Sequence, residues 1–162
     1  MLRTHTCGEL TAKDAGKPAT LCGWVHTRRD HGGLIFLDLR DRYGLTQIVI
    51  HPEKNKDVFT AAEAVRPEWV LKVTGQVVKR AAGTENPKMP TGQIELEAAE
   101  LTVLNKAKTP PFEIDDTKET NEELRLQYRY LDMRRSRLRK NIELRSKIFQ
   151  IIRRYFTAQN CL

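Results

Sequence analysis

The sequence predicts a small all-β barrel of five strands with one helix between the third and fourth, then a linker and C-terminal helices. Three observations predict it. Between Ala19 and Leu104 apolar and polar residues alternate in short runs separated by Gly, Asp and Pro. One stretch inside that region changes to helical spacing. After Leu104 the alternation stops, adjacent prolines appear, and apolar residues then recur every three or four positions.

The runs ATLCGWVHTR, LIFLDLR, LTQIVIH, WVLKVTGQVVK and QIELEAAELTVL read as the strands, and DHGG, DRYG and AAGTENPKMPTG as turns between them. In DVFTAAEAVRPEW, Val58, Ala61, Ala62 and Val65 keep helical spacing until Pro67 ends the pattern. Three strands, a helix and two strands is the element order of an OB-fold, a Greek-key barrel. Residues 1–104 are therefore expected to form the barrel domain, 105–118 a linker built on NKAKTPPFEIDD, and 119–162 a helical segment. In that segment ETNEELRLQYRYLDMRR and SRLRKNIELRSKIFQIIRRYFTAQN read as helices, with Ser136 as the N-cap of the second. Leu138, Ile142, Arg145, Phe149, Ile152 and Phe156 form a stripe widened by Ile148, Ile151 and Tyr155. The barrel alone would struggle to cover that stripe, so its packing partner is expected beyond Leu162 or on another chain.

The chain carries 28 Lys and Arg against 21 Asp and Glu, a formal charge of +7, which favours an anionic partner without identifying one. Its 40% hydrophobic content permits a real core. Cys7, Cys22 and Cys161 have no metal-ligand or CxxC spacing and read as reduced thiols. The N-terminus lacks a signal-peptide apolar region and no apolar run reaches membrane-spanning length, so a soluble, cytoplasmic protein is expected. GxxxxGK[ST], HExxH and GxSxG motifs are absent, and His5, His26, His31 and His51 lack metal-ligand spacing, so no catalytic residue or metal site is assigned. Asp38 and Asp41, beside Arg40 and Arg42, read as a structural salt-bridge net.

A binding face is the stronger reading. Phe36 has the parity opposite to Ile35, Leu37 and Leu39, so it points away from a core they share, close to Arg28 and Arg29. An aromatic ring stacks an unpaired base and neighbouring cations hold its backbone. Gln47 has the parity opposite to Ile48 and Ile50, and its amide can both donate and accept at a base edge. Glu95, between Ile94 and Leu96, offers a carboxylate that accepts both donors of guanine's Watson–Crick edge. Taken singly, each has a plainer reading as a partly covered or solvated surface residue. On one face together they favour base recognition.

CGWVHTRRDHGGLIFLDLRDRYGLTQIVI, TGQIELEAAELTVLNKAKTPPFEI and LRLQYRYLDMRRSRLRKNIELRSKI closely resemble the N-terminal part of bacterial aspartyl-tRNA synthetases, a class II family, and the resemblance spans essentially the whole chain. It implies that the barrel binds the tRNA anticodon, with Phe36 stacking on the middle base. Gln47 and Glu95 would read the flanking bases, Glu95 the guanine-type first base. Arg29 would contact anticodon bases or phosphates, and Arg80, on strand 4, would be a second such arginine. His31 and Gly83 match the branch with relaxed recognition, which charges asparagine tRNA as well as aspartate tRNA. Two departures stand out. Val49 occupies a place where many relatives carry a second aromatic, and the chain stops at YFTAQNCL, inside the helix that opens the first class II motif. The resemblance then implies a fragment without catalytic motifs or cofactor, from a full-length homodimeric aspartate-tRNA ligase that uses ATP and Mg. Two other functions compete: a stand-alone single-strand-binding OB protein, and a protein-interaction module using the last helix.

Overall fold

The computed structural model describes residues 2–161. It divides into two compact units, residues 2–109 and 110–161.

The first unit is a closed barrel of β1 (Pro18–His31), β2 (Leu34–Arg40), β3 (Leu45–Ile50), β4 (Val70–Lys79) and β5 (Ile94–Asn105), in the spatial order β1-β2-β3-β5-β4. β4 also pairs with β1, and a short parallel contact of β3 with β5 closes the ring, Ile48 opposite Leu96 and Val49 opposite Glu97. The five-strand expectation holds, including α1 (Lys56–Glu63) between β3 and β4. Period-two alternation aims Leu21, Val25, Ile35, Leu37, Leu39, Ile48, Leu71, Val73, Ile94 and Leu96 into one core, each essentially inaccessible. At about 1.5–3 kcal/mol for each fully buried side chain of this size, that core is the main stabilising element. α1 adds Val58 and Ala62 to it. Its N-cap is Asn55, whose side-chain oxygen accepts from the Asp57 and Val58 amides at 3.1 Å.

Two features of β1 and β2 place the surface side chains. DHGG was expected to be turn throughout, but strand pairing continues to His31 opposite Leu34. The connection is only Gly32-Gly33, with φ of 59° and 78°, the left-handed values that a two-residue hairpin demands and glycine tolerates. The second feature is a bulge in β1 between Val25 and Thr27, where the register slips by one residue. Before it Val25 opposes the inward Leu39; after it Thr27 opposes Asp38, Arg28 opposes Leu37 and Arg29 opposes Phe36.

In the second unit, α2 (Glu122–Gln127), α3 (Arg129–Asp132) and α4 (Ser136–Ala158) follow one another. The expected helix over 119–135 is broken at Tyr128, whose φ of −108° and ψ of 49° are not helical. Phe112 and Ile114, from the expected linker, are buried with Leu131 in a small cluster that Leu124 and Tyr128 cover. Ser136 is the first residue of α4 and not its cap. The cap position is Arg135, which makes no side-chain capping bond, and the Asp116 carboxylate accepts instead from Ser136 Oγ and, at 3.1 Å, from the Arg137 amide. Asp132 is fully buried and its charge is met by Arg125 Nε at 2.9 Å and Arg129 Nη1 at 2.7 Å. The apolar stripe of α4 is exposed within its unit, with Phe149 at 47% and Phe156 at 50%.

Candidate nucleic-acid interface

Residues directly opposite each other in paired strands share a face, so the registers arrange the outer surface in rows. One row runs Arg29, Phe36, Val49; the next runs Thr27, Asp38, Gln47. The parallel contact of β3 with β5 brings Glu95 beside Gln47, and the two side chains bond directly.

That second row is a continuous chain of polar contacts. Arg29 Nη2 donates to both oxygens of Asp38, at 2.9 and 3.0 Å, and to Gln47 Oε1 at 3.3 Å. Gln47 Nε2 donates to Glu95 Oε2 at 2.8 Å. Thr27 Oγ1 donates to Asp38 from the other side. The amide of Gln47 is thereby oriented: its oxygen faces the guanidinium and its nitrogen the carboxylate. Among the described residues no hydrogen bond is made to Glu95 Oε1, so the row ends on a spare anionic acceptor. Phe36 stands half-buried beside it and Val49 lies almost fully buried, filling the floor without offering a second ring.

A groove of about 780 Å³ opens over these rows. Arg29, His31, Phe36, Gln47, Arg80 and Glu95 all line it, with His51, Thr84 and Asn86 completing the rim. Arg80 lies one residue past the end of β4; its Nε donates to the Ile94 carbonyl at 3.1 Å, and its Nη2 is buried without a hydrogen-bond partner. A buried donor left unpaired costs about 1–3 kcal/mol, which an acceptor entering the groove would relieve.

Two of the expected site residues are not brought to the groove. The β1 bulge turns Arg28 to the inward parity, opposite Leu37, where its Nε donates to the Ala62 carbonyl near the C-terminus of α1 at 3.1 Å and its guanidinium pairs with Asp30. Gly83 lies in the exposed β4–β5 loop with φ of 85°, and a Cβ there would meet open space. Its glycine thus serves the turn's backbone, and not the clearance of a side chain. Asp38 goes the other way. Expected in a strand-end salt-bridge net with Asp41, it does form an ion pair, but with Arg29 at 2.9 Å, and so it orders the polar row that supports the groove; its two-residue spacing from Phe36 is the signal that could have placed it on that face. Asp41 is the structural member, 6% exposed, accepting from the Cys7, Tyr43 and Gly44 amides and from Arg3.

Among the described residues no group of three His, Cys, Asp or Glu side chains could hold a metal ion, and no helix is long and apolar enough to cross a membrane. All three cysteines are free, Cys7 buried and Cys161 exposed. Burial, chiefly, pushes the Cys7 thiol far above its ordinary range, with Asp41 adding to it, so it stays protonated.

Comparison with known proteins places the groove in context. The family described as OB-fold nucleic acid binding domain matches residues 19–104, and the family described as tRNA synthetases class II (D, K and N) matches 121–162. An aspartate-tRNA(Asp/Asn) ligase of Rubrobacter xylanophilus is 56% identical over 158 residues, covering 98% of this chain and 26% of that protein. The enzyme of the same name from Desulfatibacillum aliphaticivorans is 51% identical over 162 residues, 100% of this chain and 27% of its own length. The chain thus spans about a quarter of the length of these curated relatives. Among solved structures, the aspartyl-tRNA synthetase of Entamoeba histolytica superposes with a TM-score of 0.83 at 20% identity, over 94% of this chain and 36% of that one. The asparaginyl-tRNA synthetase of Pyrococcus horikoshii gives 0.81 at 24%, over 98% and 35%.

Proposed function

We propose that this chain, which belongs to the OB-fold nucleic acid binding domain family, recognises a tRNA anticodon as part of a longer aspartate-tRNA ligase. The observation that carries the proposal is the chain of contacts Arg29, Gln47, Glu95, hydrogen-bonded end to end across neighbouring rows beside Phe36 in one groove. A ring to stack the middle base, an oriented amide and a spare carboxylate oxygen supply the three kinds of contact that an unstacked triplet needs. Because the polar groups already hold one another, they are ordered before RNA arrives and lose little rotamer freedom on binding. Arg80 adds an unpaired donor to the same groove.

In this reading the tRNA is that for aspartate, and the name borne by the relatives, aspartate-tRNA(Asp/Asn) ligase, extends it to the asparagine tRNA. The two anticodons differ at the third base, cytosine or uracil. His31, exposed on the groove rim, can donate to the O2 of either, so it would not penalise uracil. ATP and Mg²⁺ would be held elsewhere in the longer, cytoplasmic protein. The described residues have no carboxylate cluster fit for the metal, and no step is assigned to them. The exposed stripe of α4, Ile148, Phe149, Ile152 and Phe156, supports a homodimer of that protein, with size-exclusion chromatography as its check.

The direct test is titration of this chain with anticodon stem-loops carrying GUC, GUU and permuted triplets. Preference for a first-position guanine over adenine, with GUC and GUU bound alike, is expected. Equal affinity for every triplet would leave a sequence-tolerant single-strand binder and refute the proposal.

A further inference from the structure

We propose that His51 tells cytosine from uracil at the third anticodon base, and does so by its protonation state; this rests on the anticodon reading above. The outward residues of β1, β2 and β3 form successive rows, two residues or about 7 Å apart. Asp38 and Gln47 belong to the row assigned the first base, Phe36 and Val49 to the row assigned the middle base. The next row is His31, Leu34 and His51, and all three line the groove. His31 opposes Leu34, while Leu34 and His51 each lie one residue past the Ile35–Ile50 pair. The third base therefore falls on Leu34, with an imidazole to either side.

A pyrimidine lying there turns O2 to one side and position 4 to the other. O2 accepts in both bases, and His31 serves it. Position 4 carries a donor N–H₂ in cytosine and an acceptor oxygen in uracil, so whatever meets it has to change character. His51 can. Its Nδ1 lies 3.2 Å from Glu53 Oε1, and because an ionised carboxylate only accepts, the proton of the neutral ring sits on Nδ1. Nε2 makes no hydrogen bond among the described residues. Neutral, that nitrogen accepts from cytosine; protonated, it donates to uracil. Histidine is the side chain that exchanges a proton between about pH 5 and 8, so around neutrality both forms are populated and both loops bind within a few-fold of each other. Glu53 faces His51 from its own loop, Arg29, Asp30 and His31 from β1, Arg80 from beyond β4 and Glu95 from β5. All but Glu53 meet the two loops alike, so their charges cancel in the ratio of the two affinities.

The test titrates this chain with GUC and GUU anticodon stem-loops from about pH 8 to about pH 6. GUU needs the ring charged and GUC needs it neutral, so GUU gains on GUC as pH falls, by up to about tenfold per pH unit. A fall of at least about fivefold in the GUC-to-GUU affinity ratio across that range is expected. His51→Asn keeps a group that donates or accepts but does not titrate, so its ratio should be flat with pH while both loops still bind. Should that variant melt early, His51→Gln takes its place. Glu53→Gln leaves the neutral ring free to carry its proton on either nitrogen, and the slope should shrink. The proposal is overturned if the wild-type ratio is flat or rises as pH falls, or if the His51 variant or Glu53→Gln keeps the full slope. First-position guanine preference, measured alongside with adenine-first loops, separates the two readings. Its absence sinks the anticodon proposal and this one with it; its presence beside a flat GUC-to-GUU ratio sinks this one alone.

Discussion

Replacing Glu95 by Gln keeps the size of the side chain and one acceptor oxygen but removes its charge. In the free protein little should change, because the Gln47 amide that now donates to Glu95 Oε2 at 2.8 Å can donate to the new carbonyl equally well. Glu95→Ala is different. It strands the Nε2 donor of a residue only 8% exposed, at a cost of about 1–3 kcal/mol unless water from the groove takes the place. Against RNA, the Gln variant presents an amide N–H₂ where guanine offers N–H, so one of two charge-assisted hydrogen bonds is lost. Such bonds are worth about 1.5–3 kcal/mol, roughly a ten- to 150-fold fall in preference for guanine over adenine at the first anticodon position. Total affinity for the adenine-first loop should hold or rise slightly, since a negative charge has left a surface that faces phosphates. The assay is competition fluorescence anisotropy with paired stem-loops, alongside a thermal melt. An unchanged guanine-to-adenine ratio in a variant with an unchanged melt would refute the role given to Glu95 and the geometry from which it was drawn.

Phe36→Ala should weaken stem-loop binding by about 1–3 kcal/mol in a filter-binding titration, with only a modest fall in melting temperature because the ring is half-buried outside the core. Arg28→Ala should do the reverse: it leaves RNA affinity within twofold but lowers stability by about 1 kcal/mol in urea, having lost the bond to the Ala62 carbonyl; a tenfold loss of affinity would contradict its placement away from the groove. Asp116 has its carboxyl held below the usual 3.8, chiefly by the hydrogen bond from Ser136. Its contribution is therefore present above that value and lost as pH falls through the lowered one, so the α4 N-terminus should fray only in acid; hydrogen exchange at the Arg137 amide follows it, and Asp116→Asn should abolish the pH dependence. Cys161 should react with iodoacetamide in the native protein and Cys7 only on unfolding, as mass spectrometry of the alkylated chain will show.

Strand and helix identity was legible in the sequence because each element buries one face, and burial writes a period into the residues. Alternation of Ile35, Leu37 and Leu39 against Phe36 settles which way the ring points wherever the strand lies. The same parity makes Gln47 and Glu95 outward, though not that they touch, which depends on the parallel closure of β3 on β5. Parity failed where pairing is interrupted. Val25 is inward, so unbroken alternation would make Arg29 inward too; one extra residue at the bulge reverses this and sends Arg29 to the groove and Arg28 to α1. No local pattern announces that residue, because a bulge is a property of two strands. The burial of Phe112 and Ile114 is invisible in the sequence for a similar reason: their partners Leu131, Leu124 and Tyr128 lie further along the chain, and an apolar residue in a proline-rich run has no period to declare its burial. Ser136 beside a helix start was a sound local signal for a cap, yet Asp116, twenty residues earlier, takes the Arg137 amide. Periodic burial is local and can be read from the chain alone; register, bulges and long-range caps belong to pairs of segments and exist only once the chain has folded.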